Sequence, residues 1–138
     1  MNLAMLRVEG TDEALDVLRG SLGLTIDSSW KKGEPKRRGG HYSSSGLNAT
    51  IADAKNPREM VVAIREFISQ CKVQNIAFSD TNLSAEISIG ITVGEEVQFV
   101  ACVDLSAADL LSLGELGIAL GVAAYPASDE DDANDKPA

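Results

Sequence analysis

The chain has 138 residues, of which 44% are hydrophobic but only 4% aromatic, and its formal net charge is −9. This length predicts a single domain with a core built from aliphatic side chains. The sequence contains no apolar run of about eighteen residues, and its N-terminus lacks the basic and apolar segments of a signal peptide. We therefore expect a cytoplasmic protein that does not enter a membrane.

The charge is distributed unevenly along the chain. Residues 1–72 carry 11 basic and 9 acidic side chains, whereas residues 73–138 carry one lysine and 12 acids. Such asymmetry bears on solubility and on the choice of partners, and it says little about the fold.

The first half of the chain predicts a strand, a helix and a hairpin. Residues 3–9 alternate loosely, and Thr11 can cap a helix over 12–22 that Gly23 would end in a left-handed conformation. Extended patterns over 24–30 and 41–51 then predict an antiparallel hairpin with basic residues at its tip.

The second half opens with the clearest helix signal, which is Asn56 at the cap and Pro57 at the first helical position of a helix over 57–72. Residues 87–93 alternate strictly in polarity, and apolar residues recur at every second position of 97–103, namely Val97, Phe99, Ala101 and Val103, which predicts a second hairpin. Ser106, followed three residues later by an acid, opens a helix that would turn Leu110 and Leu113 inward and end near Gly117. The run 118–125 is apolar on both faces, which favours a buried central strand.

These elements predict an α+β fold in the order β-α-β-β-α-β-β-α-β. The expected architecture is a twisted, mainly antiparallel sheet with about three helices packed on one face. Residues 1–126 would form the single domain. Residues 127–138 are acidic and lack an apolar anchor, so we expect a disordered tail.

No pattern in the chain points to catalysis, to a metal or to another cofactor. His41 is the only histidine, and Cys71 and Cys102 lack metal-binding spacing, so both cysteines are interpreted as small buried hydrophobic residues. A triad of Ser43, His41 and Asp53 can be written, but no nucleophile elbow accompanies it. We expect a protein that is not an enzyme.

The segment between Trp30 and Tyr42 concentrates positive charge. It could be a solvated hairpin tip that pairs with the acidic half of the same chain, a protein contact, or a phosphate-binding loop with flanking aromatic stacking groups. The five basic residues concerned are Lys31, Lys32, Lys36, Arg37 and Arg38.

Acidic residues in the second half form the other candidate site. They could present a negative face to a basic partner and speed its association, although an ordinary solvated surface would have the same composition. The candidate partner-binding residues are Glu95, Glu96, Asp104, Asp109 and Glu115.

Several landmarks resemble an uncharacterised bacterial family catalogued as domain of unknown function 4279. They are Leu22-Gly23-Leu24, the W-x-K-G-like Trp30-Lys31-Lys32-Gly33, and the Leu-Ser, Leu-Gly and terminal Tyr landmarks of 105–125. The resemblance implies a small cytoplasmic α+β domain, and some members lie near contact-dependent toxin systems in which immunity roles are suspected.

We therefore predict a non-catalytic interaction domain that neutralises a protein partner, such as a basic toxin or nuclease, by masking it with a charged surface. The alternative is a nucleic-acid or nucleotide binding module that uses the basic loop. Its residues would be Trp30, Lys32, Arg37, Arg38 and Tyr42. The sequence leaves the oligomeric state open.

Overall fold

A computed structural model of the chain describes residues 1–80, 82–96 and 98–127, and it shows an α+β fold. The elements are β1 (Asn2–Gly10), α1 (Asp12–Arg19), β2 (Ile26–Trp30), β3 (Ser45–Asp53), α2 (Pro57–Val73), β4 (Ser84–Val93), α3 (Ala107–Leu116) and β5 (Ile118–Pro126). A short 3-10 turn at Phe78–Asp80 precedes β4. The predicted acidic tail, apart from its first residue, lies outside the described residues.

The strands form one mixed sheet in the order β2-β3-β1-β4-β5. The first strand of the chain lies at its centre, antiparallel to both β3 and β4. β2 continues the sheet on one side as the antiparallel partner of β3, while β5 joins the other side parallel to β4. The predicted sheet, mainly antiparallel and carrying three helices, is confirmed.

Successive side chains of each strand point to opposite faces of the sheet, and the core lies on the face against which the helices pack. Leu6 of β1, Leu47 of β3 and Ile87 of β4 are completely buried there, as are Met60 and Ile64 of α2. On the other face, side chains such as those of Arg7, Glu86 and Ser88 are exposed. The helices therefore cover one face only.

The helix starts follow their capping residues. Thr11 accepts a hydrogen bond from the Ala14 amide at 3.2 Å, and Asn56 accepts one from the Glu59 amide at 2.9 Å. The first helix is shorter than its pattern predicts, because it ends at Arg19 and a turn follows. Leu22 nevertheless remains buried in the core.

The predicted second hairpin is wrong, because residues 98–103 form no strand. β4 is already paired on both sides, with β1 and with β5, so it has no free edge for a returning strand. Gln98 adopts a positive φ of 53°, which interrupts an extended run, and its side-chain amide donates to the Thr92 carbonyl at 2.7 Å. Val97 lies outside the described residues.

The predicted central position of the last strand is also wrong. β5 lies at the edge of the sheet, and only Ile118 among its residues is buried. Leu110 of α3, which we expected to point inward, is 52% exposed. β5 is thus apolar in sequence although its outer edge and most of its side chains face solvent.

Within the described ranges, no helix combines the length and the apolar character needed to cross a bilayer.

Candidate functional site

The basic loop is an ordered extension of the β2–β3 hairpin. The Gly33 amide donates to the Tyr42 carbonyl at 2.8 Å, and the Tyr42 amide donates to the Glu34 backbone carbonyl at 2.9 Å. Nearer the tip, the Lys36 amide donates to the Gly40 carbonyl at 2.9 Å. The predicted hairpin is confirmed, and backbone hydrogen bonds across its loop hold the segment that carries the basic residues.

Trp30, the last residue of β2, is buried within this hairpin. Its side chain faces Gly46 across the strands, and only 7% of the residue is exposed. The indole N–H donates to the Ser44 carbonyl at 3.1 Å. The indole ring stacks on the Tyr42 ring with 5.1 Å between the ring centroids, and the Arg7 guanidinium lies 4.6 Å from the centroid of the indole ring. The prediction that Trp30 offers an exposed stacking surface to a base is therefore wrong.

The basic side chains of the loop are all exposed. Over the part of the chain that the structure describes, none of them forms an ion pair, so the expected pairing with the protein's own acidic half is not found there. The Lys36 ammonium lies 5.5 Å from the centroid of the Tyr42 ring. The exposed residues are Lys31, Lys32, Lys36, Arg37 and Arg38.

Asp109, one of the predicted partner-binding acids, is engaged within the fold. Its carboxylate accepts hydrogen bonds from Arg65 Nε at 3.0 and 3.2 Å and from the Ser106 amide at 2.8 Å. The Ser106 hydroxyl completes a capping box by accepting from the Asp109 amide. The hydrogen bonds from Arg65 and Ser106 lower the pKa of Asp109 to about 2. Asp109 thus joins α3 to α2 and has little capacity left for a partner.

The remaining acids do not form one patch. Glu95 and Glu96 lie in the turn that leaves β4, and both are exposed. Glu115 lies in the last turn of α3, three residues before Ile118. Ile118 pairs with Ala85, at the end of β4 that is far from the turn carrying Glu95 and Glu96. A ten-residue strand spans about 33 Å, so Glu115 lies far from the turn.

Two apolar side chains near the turn are functional candidates that the sequence pattern did not reveal. Phe99 and Val100 are 73% and 71% exposed, in the segment where a strand was expected. The exposed carboxylate of Asp104 follows them in sequence. No local signal separates this segment from a strand, because its unbroken apolar run at 99–103 resembles that of 118–125, which forms β5. We call Glu95, Glu96 and residues 98–104 the acidic-apolar loop.

The acidic-apolar loop borders an open groove of about 610 Å³ along the first half of α2. Its lining mixes charges of both signs with apolar carbon and includes Arg58, Val61, Arg65, Val100, Cys102 and Asp104. The groove could receive a projecting segment of a partner.

The two cysteines differ in their surroundings. Cys71 is buried in the core, and this burial raises the pKa of its thiol to about 11. Cys102 is exposed, so the prediction that both are buried hydrophobic residues is correct only for Cys71. Ala101 and Val103, on either side of Cys102, pack against the core, whereas Cys102 itself is exposed.

The described part of the chain does not assemble the Ser43, His41 and Asp53 triad, because His41 precedes the first residue of β3 and Asp53 is its last residue. No cluster of three or more histidine, cysteine or carboxylate side chains occurs there. His41 forms an isolated bridge with Pro35 near the hairpin tip, whereas Asp53 is the last residue of β3.

Comparison with known proteins gives no match, whether with family models, with curated proteins or with solved structures. The resemblance to the family catalogued as domain of unknown function 4279 therefore stays a prediction.

Proposed function

We propose that this chain is a non-catalytic interaction domain that binds a basic protein partner through the acidic-apolar loop and masks it, as an immunity or inhibitor protein would. The observation that carries the proposal is the exposure of Phe99 and Val100 next to exposed carboxylates. A basic toxin or nuclease is the class of partner that such a surface would suit.

The two parts of the loop would make different contributions. Transferring an exposed phenylalanine or valine side chain into an apolar pocket stabilises a complex by about 1.5 to 3 kcal/mol. Aromatic anchors with a polar rim are typical of the few residues that dominate binding energy. The carboxylates of Glu95, Glu96 and Asp104 would attract a basic surface and raise the association rate.

The experiment is capture of partners from the native host with the tagged full chain, with and without nuclease treatment, followed by kinetics on the purified partner. We expect Phe99→Ala to weaken binding by roughly tenfold or more, mainly through faster dissociation. Reversing Glu95 and Glu96 to lysine should slow association by roughly tenfold at low salt and less at high salt.

Matched controls come from exposed residues elsewhere in the fold. Val17→Ala removes an apolar side chain that is 76% exposed on α1, and Glu115→Lys reverses an acid at the far end of α3. Neither should change the kinetics. Equal effects of the loop variants and these controls, or no effect of Phe99→Ala, would contradict the proposal.

A second candidate function, nucleic-acid or nucleotide binding by the basic loop, draws on the exposure of its five basic side chains without ion pairs among the described residues. It would depend on charge, because Trp30 is buried. Retention on a polyanion column that is lost when Arg37 and Arg38 become alanine would support it. Partners that disappear after nuclease treatment would also favour this function over the first.

A further inference from the structure

The two edges of the sheet differ in how well they are protected against pairing with another strand. β2 has five residues, a register shift between Ile26 and Ser28, and a charged side chain at Asp27. β5 has nine residues, a continuous register and no charged side chain. Natural edge strands are shortened, bulged or charged to prevent such pairing, and β5 carries none of these devices before its final proline. Its edge has the properties of an interface.

The backbone groups at this edge can be assigned from the ladder. The Ala127 amide donates to the Val93 carbonyl at 2.8 Å, so it points toward β4. Alternate residues of a strand direct their N–H and C=O groups to opposite sides. The amides and carbonyls of Leu120, Val122 and Ala124 therefore point to the free edge, where no other strand of the described chain pairs with them.

We propose that β5 of one copy pairs antiparallel with β5 of a second copy, about a two-fold axis at Val122, to form a continuous ten-stranded sheet. The axis at Val122 brings all nine residues of the strand into register, and only the outermost pair, Ile118 with Pro126, lacks one hydrogen bond because proline has no amide hydrogen. It makes Val122 a hydrogen-bonded pair with itself and pairs Leu120 with Ala124. The same register places Tyr125 opposite Ala119 and Gly121 opposite Ala123. Apart from the central valines, each larger side chain of 119–125 thus meets a small one.

Charge and exposed area both favour a second copy over a charged partner at this edge. The chain carries a net charge of −9, but residues 117–127 are uncharged, so no charged side chain of this segment opposes the pairing of two copies. In the antiparallel arrangement the two Ala127 residues lie at opposite ends of the paired strands.

The side chains available to such an interface come from β5 and from α3 beside it. Leu110, Leu111, Val122 and Tyr125 are each more than half exposed, and Leu120 is 36% exposed. Leu120 and Val122 lie on the helix-covered face of the sheet, beside Ile87 and Ile89, and Tyr125 lies on the other face. Together the five side chains expose on the order of 500 Å², compared with roughly 800 Å² per partner in a standard stable interface. Isologous pairing would bury the same patch on both copies.

The test is the oligomeric state of the full chain, measured by sedimentation over a concentration series. We expect a dimer for the wild type and a shift to monomer for Val122→Lys, which places two like charges on the axis and should raise the dimer Kd by roughly a hundredfold. Val17→Lys is the control, because Val17 is exposed on α1, and it should leave the dimer intact. A wild type that remains monomeric up to about 0.1 mM, or a dimer that survives Val122→Lys, would overturn the proposal.

A cross-linking experiment tests the register independently of the lysine variant. In a Cys102→Ser background, Val122→Cys would place two thiols on the axis with Cα atoms about 5.5 Å apart, within the range that a disulfide spans. Oxidation should then give a covalent dimer, while Val17→Cys in the same background should not. Failure of Val122→Cys to cross-link more than Val17→Cys would refute pairing about this axis.

Discussion

Asp109 offers a sharp test of the structural interpretation, because its sequence position suggested a partner-binding acid and its contacts make it a link between helices. Replacing Asp109 with alanine removes the carboxylate half of the capping box and the bridge to Arg65. Ser106 still caps the helix in this variant, and losing the hydrogen bond that the carboxylate accepts from the Ser106 amide costs about 1 kcal/mol. A bridge to a side chain that is 48% exposed contributes at most about 1 kcal/mol. We therefore expect Asp109→Ala to lower the free energy of unfolding by about 1 to 2 kcal/mol at neutral pH.

The same contacts predict how this difference varies with pH. The pKa of Asp109 is lowered in the folded state to about 2, so the folded chain holds the charged form more strongly than the unfolded chain does. The resulting stabilisation is fully present above the ordinary aspartate pKa of about 3.9 and is lost as the pH falls through the folded-state value. The difference between wild type and Asp109→Ala should narrow below about pH 4 and be largely gone near pH 2.

Urea unfolding followed by circular dichroism, at several pH values between 7 and 2.5, measures both quantities. Asp104→Ala is the control, because Asp104 is an exposed acid close in sequence, and it should change stability by less than about 0.5 kcal/mol. The reasoning is refuted if the two variants are equally stable, or if the Asp109→Ala difference keeps its full size at low pH.

Two further predictions concern packing and thiol chemistry. A Cβ on Gly46 would lie 2.6 Å from Cε2 of Trp30, so Gly46→Ala should cost about 1 to 3 kcal/mol and shift the tryptophan emission to the red. Gly114→Ala, where a Cβ meets no atom within 4 Å, is the control, and it should not change the emission. At pH 8 a thiol reagent should modify Cys102 rapidly and Cys71 only on unfolding, because burial raises the pKa of Cys71 to about 11; rapid reaction of both would contradict this.

The fold class and most element boundaries could be predicted from local chemistry. The caps at Thr11, Asn56 and Ser106 begin their helices because a side-chain oxygen satisfies an amide within three residues, which is information contained in the sequence. Strand pairing is not local in this sense. Residues 97–103 and β5 have similar apolar patterns, and only the competition for the edge of β4 decides that β5 pairs there.

The candidate site was predictable only in part, for the same reason. The exposed turn that carries Glu95 and Glu96 could be predicted, because its signal is local in the sequence. The exposure of Phe99 and the internal engagement of Asp109 depend on contacts with distant elements, such as the bridge to Arg65 across 44 positions of the chain. Likewise, the burial of Trp30 requires a glycine on the facing strand at Gly46.

The central position of β1 has a consequence for the way the chain must fold. Its partners, β3 and β4, are contributed by residues 45–53 and 84–91, so β1 is synthesised before either of its partners. Pairings this distant require large loops to close before they are stabilised, which slows folding. The sheet can therefore begin to form only after β3 has been synthesised, and β4 and β5 then extend it on the other side of β1.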